Sequence, residues 1–145
     1  MVELAESIAR RAHHGQTEES TGDPYIRHVQ RVVAMVDGNE AKAVAWLHDV
    51  IEDSPVTAAG LLAAGLPVAI VSSVTYLTRL SGSYAEYIER LKASGDSVAI
   101  SVKIADLRDH LRPNCPARLR PRYEAAWSVL TSEPLPANGS NTAIS

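Results

Sequence analysis

Along this chain apolar residues recur every three to four positions almost throughout, and two-residue alternation is rare. The pattern predicts an all-α domain. A first helix is expected from about Val2 to His14, with Leu4, Ile8 and Ala12 on one face. The polar run GQTEESTGDP reads as a loop. Pro24 suits the first turn of a second helix, PYIRHVQRVVAMV. Asp37 and Gly38 end it, and Asn39 is placed to cap a third, EAKAVAWLHDVIED. Ser54 and Pro55 stop that helix, and Thr57 caps a short one, TAAGLLAAG. Pro67 opens PVAIVSSVTYLTR, and Ser81 to Ser83 turn the chain into SYAEYIERLKAS. Gly95 separates this from SVAISVKIADLRDHL. The β-branched start VAISV also suits a strand, but the helical pattern continues into Leu111 and predicts a buried helix. RPNCPARL is a loop, and RPRYEAAWSVLTS is the last helix. One domain is expected over 1–132, with a tail at 133–145 that has little to bury and should be disordered.

Within this pattern the stretch AWLHDVIED stands out, because a largely apolar segment carries His48, Asp49, Glu52 and Asp53. Treated as one helix with His48 at zero, the wheel puts Glu52 at about 40°, Asp49 at about 100° and Asp53 at about 140°. Val44, Leu47, Val50 and Ile51 fill the opposite side. A solvated outer face is the ordinary explanation. Against it, no lysine or arginine is interspersed at i+4, and the flanks are unusually apolar for a surface helix. A divalent cation would relieve the repulsion. The pattern alone leaves both readings open.

A metal needs further ligands, and two residues lie in similar settings. His28 sits among Ile26, Val29, Val32 and Val33, and Asp106 sits in VKIADLRDHL. A histidine on an apolar helix is ordinarily a hydrogen-bonded core residue, whereas a mid-helix aspartate has no capping role to explain it. With His48 and Asp49 these make a two-imidazole, two-carboxylate set. That mixture suits manganese or iron rather than a thiolate-rich structural zinc.

Composition narrows the function classes. The 145 residues carry a formal net charge of -3, which implies no broad basic surface for nucleic acid. Cys115 is the single cysteine, so no disulfide framework is expected and a reducing cytoplasm is the simplest home. The N-terminal residues lack the apolar core of a signal peptide. The longest apolar stretch, GLLAAGLPVAIVSSV, is interrupted by Gly65 and Pro67 and is too short to span a bilayer.

The motifs AHHGQ, GDPYIRH, AWLHDVIED and VKIADLRDH, in that order, resemble the HD-superfamily phosphohydrolases. More narrowly they resemble the RelA/SpoT-type hydrolase domain, which degrades the alarmone (p)ppGpp, and the stand-alone small alarmone hydrolases are similar in length. The likeness runs from about Leu4 to Leu130. It implies an HD-domain helical bundle and a divalent metal, usually manganese, with iron or another divalent ion as alternatives. The ligands it implies are His28, His48, Asp49 and Asp106. The Glu-Asp pair that handles the water nucleophile and the leaving group corresponds to Glu52 and Asp53. The implied reaction removes the 3′-pyrophosphate from a phosphorylated guanine nucleotide, with no nucleic-acid or membrane partner.

Further residues stand where a substrate would be met. Lys103 shares the face of Asp106, although a lysine snorkelling to solvent looks the same in sequence. Tyr84 and Thr75 match YAE-like and VTxLT segments of the family, with core packing and back-bonding as their ordinary alternatives. Gln16 is placed to position His28 or substrate, or is simply a polar loop residue. Arg27, Arg79 and Arg108 are additional cations. His13 and His14 end the first helix, where a positive charge is favourable anyway. Three positions depart from the family pattern. The loop after GQ carries Glu18 and Glu19 where the family commonly has an Arg-Lys pair that contacts nucleotide. Val29 replaces a proline, and His110 replaces an asparagine. These departures keep open the same metal chemistry on another phosphorylated nucleotide, and a nucleotide- or metal-binding module without turnover.

Overall fold

A computed structural model describes residues 1–133, and its regular elements are all helical. They are α1 (Val2–Ala12), α2 (Ile26–Ala34), α3 (Asn39–Leu47), α4 (Val50–Asp53), α5 (Ala58–Ala63), α6 (Val68–Tyr76), α7 (Tyr84–Ser94), α8 (Ser97–His110) and α9 (Arg120–Thr131). The expected tail falls largely at 134–145, outside the described residues. Among the described residues no helix is long and apolar enough to cross a membrane.

Local chemistry explains several of the boundaries. Thr57 accepts from the Gly60 amide at 3.0 Å and starts α5. Ser83 and Glu86 form a reciprocal capping box on α7. That helix stops at Gly95, whose φ of 67° is left-handed and suits a residue without Cβ. Asp96 caps α8 by accepting from the Ala99 amide at 3.0 Å, and accepts from Ser73 Oγ at 2.8 Å, which ties α6 to the start of α8. The VAISV segment is helical, with Ala99 and Val102 buried.

Three expectations need correction. Asn39 does not cap α3 but is its first residue. The cap is Gly38, at φ 90° and ψ 151°, a conformation that side chains avoid. Pro24 precedes α2 instead of opening it, because it is held in an isolated antiparallel bridge with Thr17. Most importantly, EAKAVAWLHDVIED is not one helix. It breaks at His48–Asp49, where Asp49 adopts φ -110° and ψ 1°. His48 Nδ1 lies 2.7 Å from the Ala45 carbonyl, and the His48 amide bonds that same oxygen at 3.4 Å. A side-chain donor on the last-turn carbonyl loosens the helical ladder there. The wheel angles assumed for Glu52 and Asp53 therefore do not apply.

The core has two parts. The larger is centred on α3, fully buried at Ala43, Val44, Ala45 and Leu47, with α1, α2, α6 and the first half of α8 around it. The α1 face centres on Ala5, Ile8 and Ala9, with Leu4 and Ala12 only partly buried. The smaller part joins Tyr87, Ile88, Leu107, Leu111, Ala126 and Trp127 from α7, α8 and α9. Helix α8 belongs to both, and its polar residues Lys103, Asp106 and Asp109 are buried with it.

Leu47 is fully buried immediately before the break. Leu47→Ala should cost about 2–5 kcal/mol of unfolding free energy, measured by urea denaturation.

Candidate metal centre

Three helical segments meet around His28, His48, Asp49 and Asp106. His28 comes from the first turn of α2, His48 and Asp49 from the break after α3, and Asp106 from the third turn of α8. One donor atom from each lies within 4.8 Å of all the others. His28 Nε2 is 2.9 Å from Asp106 Oδ1 and 3.9 Å from Asp49 Oδ2. His48 Nε2 is 3.1 Å from Asp49 Oδ2 and 3.3 Å from Asp106 Oδ1. These separations fall within the span of two donors on one ion with bonds of about 2.0–2.2 Å.

The outer nitrogens of both imidazoles are committed elsewhere. His28 Nδ1 is 2.7 Å from Asp109 Oδ2, and His48 Nδ1 is 2.7 Å from the Ala45 carbonyl. Each Nδ1 therefore donates outward, and each Nε2 faces the cluster. His28 Nε2 is buried and lacks an aligned hydrogen-bond partner. A cation fits such a donor set: one orphaned imidazole nitrogen, a second one beside it, and two carboxylates. Around them, Tyr25 hydroxyl donates to Asp49 Oδ2, and Lys103 Nζ donates to Asp106 Oδ2 at 2.9 Å.

The surrounding carboxylates favour the protonated form of both imidazoles. Burial alone would lower the His28 pKa, but the nearby Asp106 and Asp109 carboxylates outweigh it and raise the value to about 9. His48 is raised for the same reason, burial being overcome by Asp49 and Asp106. Burial of Asp106 is overcome by Lys103, His110 and His28, which hold it well below the usual carboxylate range. Asp53 moves the opposite way. Desolvation, then the negative charges of Asp49 and Glu52, push it up to about 6.

The other residues singled out by sequence are distributed as follows. Glu52 and Asp53 are exposed on α4, and Glu52 Oε1 accepts from the Arg79 amide at 2.7 Å. Gln16 does not hydrogen-bond His28; its amide bonds His13 Nδ1 at 2.7 Å and the Asp53 carbonyl at 2.9 Å, bracing α1 against α4. Thr75 is exposed and donates to the Val71 carbonyl of its own helix. His110 Nε2 lies 3.2 Å from Asp106 Oδ1, and its ring stacks on both His28 and Tyr123. Lys103 is buried, not snorkelling, and its Nζ sits 5.3 Å from the Tyr84 ring centre. Arg79 and Arg122 approach that ring at 5.7 Å and 5.0 Å. Arg27 is exposed, and Arg108 lies over Trp127.

Glu18 and Glu19 do not stand as free negative charges. Glu18 is buried and accepts from Arg31 Nη2 at 2.6 Å, while Glu19 pairs with Arg118. Sequence reasoning did not single out Tyr25, Arg31, Asp109 or Arg122. Asp109 and Arg31 each follow a cluster residue by three positions, so the helical period carried a signal for both. His13 was read as a dipole partner, yet it is buried with Nε2 unpaired, and burial lowers its pKa against the opposing hydrogen bond from Gln16.

The comparisons with known proteins bear on the fold. A solved structure of a metazoan ortholog of SpoT, described as hydrolysing ppGpp, superposes with a TM-score of 0.76, covering 90% of this chain and 83% of that one at 21% identity. The chain therefore shares the all-α fold of that SpoT ortholog. A guanosine-3′,5′-bis(diphosphate) 3′-pyrophosphohydrolase of Haemophilus influenzae is 48% identical to this chain over 54 residues. The bifunctional (p)ppGpp synthase/hydrolase SpoT of Escherichia coli is 46% identical over 54 residues. Each alignment takes in 34% of this chain, and only 8% of the curated relative's length. No family model matches the chain. Within this shared fold, α2, the α3–α4 break and α8 converge on a His/Asp cluster that could hold a metal ion.

The raised imidazole pKa values predict a pH effect with a definite sign. Protonated His28 stabilises the metal-free protein fully below the ordinary imidazole value of about 6.5, and that contribution is lost as pH rises through about 9. A divalent ion must displace those protons. The rise in melting temperature on adding Mn2+ should therefore grow from pH 6.5 to pH 9, read by paired thermal melts; a gain that shrinks with pH would contradict the protonated cluster.

Proposed function

We propose that the chain is a metal-dependent phosphohydrolase that removes the 3′-pyrophosphate from (p)ppGpp, with Mn2+ as the ion and His28, His48, Asp49 and Asp106 as its ligands. The observation that carries this reading is the buried cluster whose two imidazoles turn Nε2 toward two carboxylates. The names of the relatives, the H. influenzae pyrophosphohydrolase and SpoT, supply the substrate.

A bound divalent ion supplies a water of lowered pKa and a counter-charge for a phosphoryl oxygen. The rest falls to the chain's own side chains. Asp53, with a pKa pushed up to about 6, is the proton carrier, since it exchanges a proton readily near neutral pH. Glu52 holds the Arg79 amide through one oxygen and keeps the second for the nucleophile or leaving group. Arg79, Lys103 and Arg122 surround Tyr84, and Lys103 connects them directly to Asp106. Three cations next to the ligand cluster suit the phosphates of a polyphosphorylated nucleotide. Arg31, which Asp109 shares, pairs with Glu18, and Arg118 pairs with Glu19, so the acidic loop repels such a substrate less than two unpaired carboxylates would.

One feature favours a second reading, the same chemistry on a different phosphorylated nucleotide. His110 stands where the family has asparagine, and it is packed between His28 and Tyr123. Its ring already uses both faces, so the nucleotide base is met differently there.

Asp49→Ala should abolish both Mn2+ uptake and turnover. Asp53→Asn and Glu52→Gln should keep Mn2+ binding while lowering kcat by about 10²–10⁴, as metal analysis and steady-state rates would register. A Mn2+-supplemented nucleotide panel with separate assays for pyrophosphate and orthophosphate tests the substrate. Pyrophosphate released from ppGpp is the expected outcome, and orthophosphate from other nucleotides alone would replace it with the second reading.

A further inference from the structure

Behind His28 stands a chain of charges, part-buried at Arg31, that the resemblance does not account for. His28 presents Nε2 to the cluster only while its ring is held in one orientation, because a half-turn about Cβ–Cγ puts Cε1 where Nε2 stood and Cδ2 where Nδ1 stood. The holding group is Asp109, whose Oδ2 lies 2.7 Å from Nδ1. Asp109 is itself buried and gripped by Arg31, with Nε donating to Oδ1 at 2.7 Å and Nη2 to Oδ2 at 3.1 Å. This fork joins α2 to α8 one turn beyond His28 and Asp106, so it fixes the spacing of the same two helices that carry those residues.

Arg31 has a second partner. Its Nη2 also donates to Glu18 at 2.6 Å, from the loop between α1 and α2. That loop is fixed by its own backbone, with the Glu18 amide donating to the Asp23 carbonyl at 2.7 Å and the Gly22 amide to the Glu18 carbonyl at 2.8 Å. Glu18 therefore reaches Arg31 from a rigid base. It occupies the loop in which the resembling family commonly carries an Arg-Lys pair that contacts nucleotide, and here the loop points its charge inward, toward the back of His28.

We propose that Arg31, held by Glu18, is a positioning residue for the metal centre: it fixes Asp109 so that His28 keeps Nε2 directed at the ion. The Arg31 guanidinium makes three directed bonds from one plane, which a point charge cannot reproduce. A carboxylate behind a ligating histidine raises the basicity of the ligand and fixes its tautomer. The inference depends on the metal reading proposed above.

The test is the Mn2+ dissociation constant, measured by electron paramagnetic resonance titration, alongside the melting temperature of the metal-free protein. Asp109→Asn and Arg31→Gln should raise the Mn2+ Kd about 10–100-fold. Arg31→Lys should recover only part of the affinity, and Glu18→Gln should give a smaller rise in the same direction. A purely structural role would lower the melting temperature and leave Kd unchanged in every folded variant, and that result overturns the proposal. If Arg31→Gln fails to fold, Glu18→Gln, which keeps the shape and one acceptor oxygen, decides by the same criterion. A wild-type protein that binds no Mn2+ overturns the metal reading and this inference together; tight wild-type binding with unchanged variants overturns this inference alone.

Discussion

Two imidazoles and two carboxylates share one small volume inside the molecule, and the surrounding structure follows from the cost of keeping them there. Uncompensated charge in a protein interior costs several kcal/mol, so every member must be paired. The pairing is done by buried and half-buried neighbours. Lys103 and His110 face Asp106, Tyr25 faces Asp49, and Asp109 faces His28. The arrangement has spare negative charge when the imidazoles are neutral and is satisfied when protons or a cation enter. This is the electrostatic logic of a metal site that binds in competition with protons.

The break between α3 and α4 is what allows the arrangement. A continuous helix would have fanned His48, Asp49, Glu52 and Asp53 over a broad sector. The turn instead brings His48 Nε2 to 3.1 Å from its neighbour Asp49. It leaves Glu52 and Asp53 on a separate short helix, exposed at the surface. The inner pair and the outer pair thus occupy different environments: one is desolvated and committed, the other is exposed. The rise of Asp53 to about 6 follows from its closeness to the first pair as well as from its own partial desolvation.

The loop after AHHGQ shows how tertiary pairing changes the meaning of a charge. Two glutamates on a loop near an acidic cluster look unfavourable as isolated residues. In the fold each has an arginine partner, from α2 for Glu18 and from the α8–α9 loop for Glu19. The first pair continues into Asp109 and His28, so the acid is linked to the cluster through an arginine that it shares with Asp109.

The sequence by itself determined the class of the fold and the residues that gather at its centre. Helical periodicity is a local property, written in each segment's spacing of apolar side chains, and caps such as Ser83 and Thr57 are read over a few positions. His28, His48, Asp49 and Asp106 were legible because ionisable residues within apolar helices conflict with their surroundings. What only the tertiary structure decided depends on partners distant in the chain. Nothing near His48 announces the helix break, which comes from a side-chain bond to the Ala45 carbonyl in a crowded core. Nothing near Glu18 announces Arg31, nor near Arg31 announces Asp109, because an ion pair is specified by where two helices cross and not by either helix alone.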